Sequence, residues 1–283
     1  MEKIKIVTDS SADLDPEIVE EYEIEVIPLL VTWEGKTYRD GIDLSMEEFY
    51  DLLPKRQELP KTSQPSLGKF IETYKKYVEQ GFKIISIHLS SKLSGTVQTA
   101  EVARSVVSPE MITIVDSSFV TWSLGWQVLE AAWAVKKGKL VHEIIARINE
   151  VKEKLKFYAY LDTIEYVYKG GRISKVHAFL GSLLNIKPLV EIKEGIVLSI
   201  GKVRSQKQGI KFIIEEMKKS LGECKKINVA VGHTGAQQAA AALYEEIKKN
   251  FECIHTVFFK TGIIIGTYGG PGCFGVTFYP VEG

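Results

Sequence analysis

Short apolar runs alternate with amphipathic stretches through the first half of the chain. Runs such as Ile4–Thr8 and Lys83–Leu89 have the length and composition of buried strands. Between them, Ser66–Gln80 carries apolar residues at helical spacing and is followed by Gly81, a residue type that often ends helices. Strands that alternate with helices in this way form parallel sheets covered by helices. The first half is therefore predicted to be a parallel-sheet α/β domain.

The pattern changes after Lys156, where hairpins appear among the helices. Ile186–Ile192 and Ile196–Val203 flank the turn residues Lys193-Glu194-Gly195 and are predicted to pair as a hairpin. A chain of 283 residues is long for one core, so two domains are expected. We predict an α/β fold with an N-terminal parallel-sheet domain, residues 1–155, and a C-terminal mixed-sheet α/β domain, residues 156–283.

Three further local predictions concern apolar runs. Glu25–Thr32 is predicted as one strand and Gly262–Thr267 as another, whereas Val176–Leu184 is predicted as a helix.

Composition narrows the class of protein. Lys+Arg and Asp+Glu both number 36, so the formal net charge is zero. This balance gives no indication that the protein binds nucleic acid or an anionic membrane surface. The three cysteines are far apart and are read as reduced thiols, and the five histidines lack metal-ligand spacing. The N-terminus has no apolar signal region, and no apolar run is long enough to span a membrane. We expect a cytoplasmic protein with no metal and no cofactor.

Two hydroxyl-rich segments, Lys61–Ser66 and Leu89–Thr96, each run directly into a predicted helix. The first amides of a helix have no partner within it, and the helix dipole adds partial positive charge there, so such starts bind anions. The first segment is equally well explained as a turn followed by a helix cap. The second combines several hydroxyls with Gly95 at the end of a buried strand, which favours a cradle for a phosphate or a carboxylate.

Several polar residues outside these segments have two interpretations each. Asp9 and Asp116 end strands in a near-repeat and are read as capping carboxylates, with a pair of hydrolytic acids as the alternative. Arg172 follows Gly170-Gly171 and Arg204 precedes a predicted helix, and each is either an oxyanion contact or a solvated surface charge.

Histidines give two further expectations. His88 lies in a predicted strand and is read as a core histidine bonded to a backbone carbonyl. His233 follows a predicted strand within Gly232-His-Thr-Gly235 and is better placed for a site. The sequence contains no nucleophile elbow, Walker A motif or dinucleotide fingerprint.

Six segments occur in the order typical of the DegV family, and together they make the chain resemble that family over its whole length. They include the sequences Thr-Ser-Gln-Pro, Leu-Ser-Ser-Lys-Leu-Ser-Gly-Thr and Lys-Gly-Gly-Arg-Ile-Ser. In this chain they are Thr8–Ser10, Thr62–Pro65, Leu89–Thr96, Val115–Ser117, Lys169–Ser174 and Gly270–Gly272.

The resemblance implies a two-domain α/β protein that binds one long-chain fatty acid between its domains. It further implies a non-catalytic subunit of a bacterial fatty acid kinase system, which presents the carboxylate to a separate kinase subunit for acyl-phosphate formation and phospholipid synthesis. The family's carboxylate ligands correspond to Thr62 and Ser94. Contacts to the kinase or to phosphate correspond to Arg172 and Arg204. The remaining ligand-binding residues that we predict are Ser63, Gly95, Thr96 and Tyr268.

One position departs from the family pattern. Where the family usually has histidine before the late Gly-Pro-Gly, this chain has Tyr268, which donates one hydrogen bond and is not cationic. Fatty acid binding is expected to tolerate that change, because each buried methylene contributes roughly 0.8 kcal/mol. Presentation to a kinase partner has less support from this sequence than from the usual family pattern, because Tyr268 cannot compensate the carboxylate charge as a protonated histidine would.

The alternative function is a serine-dependent hydrolase or phosphotransferase in which Ser94 is the nucleophile and His233 or Asp116 the base. Such a site requires a base within roughly 2.6–3.2 Å of the nucleophile.

Overall fold

The computed structural model describes residues 2–55, 58–173 and 186–281. It divides into two compact units, Met1–Ser45 with Pro60–Glu153, and Met46–Leu59 with Lys154–Gly283. The second unit thus includes a segment from the first half of the chain, which the predicted boundary near residue 155 did not anticipate. The predicted helix Val176–Leu184, with Ser174 and His177, lies outside the described residues.

In the described part of the first unit, a four-stranded parallel sheet has the order β2-β1-β6-β7, and a three-stranded antiparallel sheet has the order β4-β3-β5. The strands are β1 (Ile4–Asp9), β2 (Glu25–Ile27), β3 (Leu30–Trp33), β4 (Lys36–Arg39), β5 (Lys61–Ser63), β6 (Lys83–His88) and β7 (Ile112–Asp116). The helices are α1 (Pro16–Glu21), α3 (Leu67–Val78), α4 (Thr96–Val107), α5 (Thr121–Lys136) and α6 (Val141–Lys154), and α2 (Met46–Leu52) belongs to the second unit.

One face of the parallel sheet packs against α3 and α4. Val7 and Ile84 of the central strands lie in one buried cluster with Phe70 and Tyr74 of α3 and Ala100 of α4. The apolar residues of α3 recur at helical spacing, so one face of this helix is buried while its lysines remain in solvent. This packing places the starts of both helices at the carboxyl edge of the sheet, where α/β proteins bind ligands.

The predicted single strand Glu25–Thr32 is two strands in the structure, so that prediction is wrong. β2 joins the parallel sheet and β3 joins the antiparallel one. Pro28 lies between them and has no amide hydrogen to donate to a ladder, which ends the first strand. β3 then pairs with β5, with Val31 opposite Thr62. Thr62 therefore lies on a short strand and not in a loop.

In the described part of the second unit, a six-stranded mixed sheet has the order β10-β9-β8-β13-β11-β12, in which β11 and β12 are parallel. The strands are β8 (Lys156–Tyr160), β9 (Lys187–Lys193), β10 (Ile196–Val203), β11 (Lys226–His233), β12 (Glu252–Lys260) and β13 (Phe274–Pro280). The helices, besides α2, are α7 (Glu165–Lys169), α8 (Gln206–Leu221), α9 (Gln237–Asn250) and α10 (Ile263–Gly269). α8 and α9 pack on this sheet through buried residues that include Ile213, Leu243, Val229 and Phe278. The predicted hairpin is present as β9 and β10.

Gly262–Thr267 is not a strand, so that prediction is also wrong. The segment starts the helix α10, in which the Gly266 amide donates to the Gly262 carbonyl at 2.9 Å. Periodicity cannot separate a short apolar run in a strand from one in a helix. Packing decides here, because Gly266 lies directly against the side chain of Tyr50 in α2. Among the helices of the described residues, none is both long and apolar enough to cross a bilayer.

Candidate functional site

The two hydroxyl-rich segments lie side by side in the first unit. After β5 the chain passes through Gln64 and Pro65 to Ser66, whose hydroxyl caps α3 by accepting from the Lys69 amide at 3.2 Å. The carboxamide of Gln64 lies against Gly95, so that a β-carbon placed on Gly95 would be 2.9 Å from Gln64 Nε2. Glycine at position 95 therefore permits the close approach of the two segments.

Ser94, Gly95 and Thr96 form the start of α4. Gly95 is the N-cap and has no side chain that could accept from the first-turn amides. Ser94 Oγ and Thr96 Oγ1 are 2.9 Å apart and hydrogen bonded, with Thr96 buried and Ser94 half-buried. The start of this twelve-residue helix therefore combines first-turn amides with two hydroxyls, a neutral donor set suited to an anion.

Backbone hydrogen bonds define the shape of the loop that leads to α4. The Ser90 amide donates to the Phe119 carbonyl at 2.9 Å, and the Ser94 amide donates to the Ser90 carbonyl at 3.1 Å. At the start of the loop, the Leu89 amide donates to the Asp9 carboxylate at 3.0 Å. The loop is thus hydrogen bonded both to Asp9 at the end of β1 and to the segment that follows β7, and these bonds fix its shape without a ligand.

Asp9 is a buried structural carboxylate. It accepts from the Ser11 amide at 3.1 Å and from His88 Nδ1 at 2.9 Å, in addition to Leu89. The other ring nitrogen of His88 is 2.7 Å from Ser86 Oγ. His88 is therefore a core histidine as expected, but its partners are a carboxylate and a hydroxyl, so the predicted bond to a backbone carbonyl is wrong.

Asp116 occupies the equivalent turn after β7. Its carboxylate accepts from the Ser118 amide at 2.8 Å and from Ser91 Oγ at 2.5 Å. Each carboxylate thus accepts the amide of the residue two positions later, as capping carboxylates do, and also bonds a residue distant in sequence, His88 for Asp9 and Ser91 for Asp116.

Thr62 and Ser63 close the set of predicted residues in the first unit. Thr62 is half-buried on β5 and Ser63 is exposed at the end of that strand.

Gln64, the next residue along the chain, was not among the predicted site residues. The signal for it was its place between two hydroxyl-bearing residues and Pro65, within a segment already selected for its chemistry.

Arg172 and Tyr268 lie together in the second unit. The Arg172 guanidinium carbon is 4.9 Å from the centroid of the Tyr268 ring, and Arg172 Nη1 donates to the Gly170 carbonyl at 2.7 Å. A cation over an aromatic face is attracted by the ring quadrupole. Tyr268 thus has a cationic neighbour although it carries no charge itself.

Arg204 and His233 occupy other parts of the second unit. Arg204 is exposed just before α8, and its amide donates to Gln208 Oε1 at 2.9 Å. His233 is buried at the end of β11, with its ring centroid 5.6 Å from that of Phe258. Burial, assisted by the charge of Lys260, lowers the pKa of His233. Among the described residues, no group of three or more His, Cys, Asp or Glu is placed to hold a metal ion.

Comparison with known proteins agrees with this fold. A family model described as "Uncharacterised protein, DegV family" matches residues 3–281. A DegV domain-containing protein of Listeria monocytogenes is 38% identical over 281 residues, which are 99% of each chain. Protein DegV of Bacillus subtilis is 34% identical over 276 residues, covering 96% of this chain and 98% of that protein.

Solved structures give the same result. A DegV family protein of Thermus thermophilus, whose structure is described as showing fatty acid binding, has a TM-score of 0.94 and 31% identity, with 99% of this chain and 100% of that one covered. Bacillus subtilis DegV, described as a fatty acid binding protein, has a TM-score of 0.88 and 32% identity at the same coverage. The family match extends over nearly the whole sequence, and this chain therefore belongs to the DegV family.

Proposed function

We propose that this protein binds a long-chain fatty acid and holds its carboxylate at the start of α4, with Thr62 and Ser94 as hydrogen-bond donors. The observation that carries the proposal is the close approach of the two hydroxyl-rich segments at Gln64 and Gly95, beside a helix start with a glycine cap. The descriptions of the Thermus thermophilus and Bacillus subtilis proteins as fatty acid binding support it.

The chemistry of the donors suits a carboxylate. An anion that loses its water needs hydrogen bonds in return, and hydroxyls and helix amides supply them. Ser63, Gly95 and Thr96 complete the predicted head-group residues, and Tyr268 is a further predicted contact. An acyl chain gains roughly 0.8 kcal/mol for each buried methylene, so the tail supplies most of the affinity and the head group supplies orientation. Binding of this kind requires neither a metal nor a cofactor.

The proposal extends to the fate of the bound fatty acid. Its carboxylate would be presented, in the cytoplasm, to a separate kinase that forms an acyl phosphate, with Arg172 and Arg204 contacting the kinase or the phosphate. The position of the Arg172 guanidinium over the Tyr268 ring supports this role, because the contact orients a positive charge in the second unit.

An assay of acyl-phosphate formation tests the role of Arg172. Protein, kinase, ATP and palmitate are mixed, and the acyl phosphate is trapped with hydroxylamine. Arg172→Ala should lower product formation and leave palmitate affinity unchanged, whereas unchanged product would refute the role of Arg172.

The serine-enzyme alternative receives no support from the contacts of the first unit. Ser94 Oγ is bonded to the hydroxyl of Thr96, and Asp116 is engaged by Ser91 and Ser118. A nucleophile requires a base at that position, and a hydroxyl is not one.

Binding of a fluorescent fatty acid to single variants tests the head-group assignment. Thr62→Ala and Ser94→Ala should each weaken binding about ten- to a hundredfold, the usual effect of removing one donor to a charged group. Ser105→Ala is the matched control, since the Ser105 hydroxyl bonds the Val102 carbonyl near the other end of α4. Its affinity should equal that of the wild type. Unchanged affinity in both Thr62→Ala and Ser94→Ala would place the head group elsewhere.

A further inference from the structure

Gln64 lies beside the start of α4, where the proposed function places the head group. Its carboxamide lies against Gly95, with Nε2 2.9 Å, Cδ 3.2 Å and Oε1 3.3 Å from the position of a β-carbon on that glycine. Throughout residues 2–55, 58–173 and 186–281, no hydrogen bond is made by this carboxamide. Two N–H donors and one acceptor on this exposed side chain therefore lie beside the start of α4 with no partner among the described residues.

The backbone on both sides of Gln64 is well anchored. Lys61–Ser63 is paired with β3, and Ser66 caps α3. Pro65 between them is buried, and its ring restricts the backbone of the residue before it. The Gln64 side chain therefore starts from a fixed backbone position and crosses to the other segment.

We propose that Gln64 selects an ionised carboxylate as the head group, by donating its amide N–H to the ligand held at the start of α4. This inference rests on the proposed function and assigns head-group specificity to a residue outside the predicted donor set. A hydrogen bond to a charged acceptor is about twice as strong as one to a neutral acceptor. Gln64 therefore contributes more to binding of a fatty acid than to binding of the matching fatty alcohol.

Two substitutions at Gln64 separate donation from simple packing. Gln64→Ala removes the donor and should weaken palmitate binding about tenfold, while hexadecanol binding changes by less than about threefold. Gln64→Glu preserves the length and branching of the side chain but replaces the donor by a second carboxylate. It should weaken palmitate binding more than Gln64→Ala does, with little effect on hexadecanol, because only palmitate meets like-charge repulsion.

Gly95→Ala tests the geometry. The backbone of Gly95 has φ −75° and ψ 8°, which alanine adopts without strain, so the added methyl acts mainly by displacing the Gln64 carboxamide. Gly95→Ala alone should weaken palmitate binding about as much as Gln64→Ala. In the double variant the two effects should not add, because both changes remove the same interaction.

The outcomes separate the inference from the proposed function. If the wild type binds palmitate and both Gln64 variants bind it equally well, the inference is overturned and the proposed function stands. Equal losses for palmitate and hexadecanol in Gln64→Glu would also overturn it, since they indicate a packing role. If the delipidated wild type binds no palmitate, the proposed function fails and the inference fails with it. Thermal unfolding of each variant checks the fold, which should be retained because Gln64 is exposed.

Discussion

The ring of Tyr268 packs directly against the α-carbon of Gly170, where any β-carbon would overlap it. A second pair repeats the arrangement in reverse, with the ring of Tyr166 against Gly270. Two tyrosine rings thus interlock α7 with α10, and each ring depends on a glycine of the other segment. Arg172 lies over the Tyr268 ring, so the same contact also holds the cation of the second unit in place.

Gly170→Ala should therefore destabilise the protein by about 1–3 kcal/mol, the usual cost of overpacking. Gly170 has φ −74°, which alanine adopts freely, so the loss reports the collision with the Tyr268 ring, together with a close approach of 3.0 Å to the Tyr166 carbonyl oxygen, and not backbone strain. Gly269→Ala is the control, because its β-carbon would meet no atom closer than 3.8 Å outside its own chain neighbours and helix backbone. Urea unfolding measures both variants. Equal stability of Gly170→Ala and the wild type would show that the ring moves aside without cost.

Asp40 should make stability depend on pH. Burial raises its pKa to about 6, although a hydrogen bond from Ser10 lowers it somewhat, and the nearby charge of Asp9 adds to the rise. The unfolded value is near 3.9, so the native state binds the extra proton between about pH 4 and pH 6. The contribution of Asp40 to the free energy of unfolding therefore falls as pH rises through that window and remains low above it.

Asp40→Asn removes this titration. The variant should be more stable than the wild type at pH 7, by roughly 3 kcal/mol, and the difference should shrink towards pH 4. Urea unfolding of the two proteins across this range gives the difference directly, and titration of all other groups cancels in it. Parallel stability curves would contradict the assignment.

Asp9→Ala should be among the most damaging single changes in the first unit. It leaves His88 Nδ1 and the amides of Ser11 and Leu89 buried without their acceptor, and such losses cost about 3–5 kcal/mol. Asp116→Ala, at the equivalent turn after β7, removes a half-buried carboxylate and should cost about 1 kcal/mol. Free energies of unfolding compare the two. A loss for Asp116→Ala as large as that for Asp9→Ala would show that burial does not set the cost.

Local chemistry made much of the fold predictable. Ser66 caps α3 as expected for a serine before a helix, α4 begins close to the predicted position at Gly95, and the apolar spacing of α3 matches its buried face. Pro28 was also a readable signal for the break between β2 and β3, although the continuous apolar run concealed it.

Other features depend on contacts between residues far apart in sequence. Tyr50 Oη donates to the Thr261 carbonyl at 2.8 Å across 211 positions, a contact made by Met46–Leu59 within the second unit. The same tyrosine packs on Gly266, where three consecutive isoleucines form a helix and not the predicted strand. The approach of Gln64 to Gly95 likewise becomes visible only once β5, α3 and α4 are packed together.

The most direct test of the central claim is the lipid content of the purified protein. Denaturing extraction followed by mass spectrometry should release a long-chain fatty acid at about one molecule per chain, and delipidated protein should take up added palmitate to the same ratio. A lipid-free protein that also fails to bind palmitate would contradict the claim that this chain binds a fatty acid.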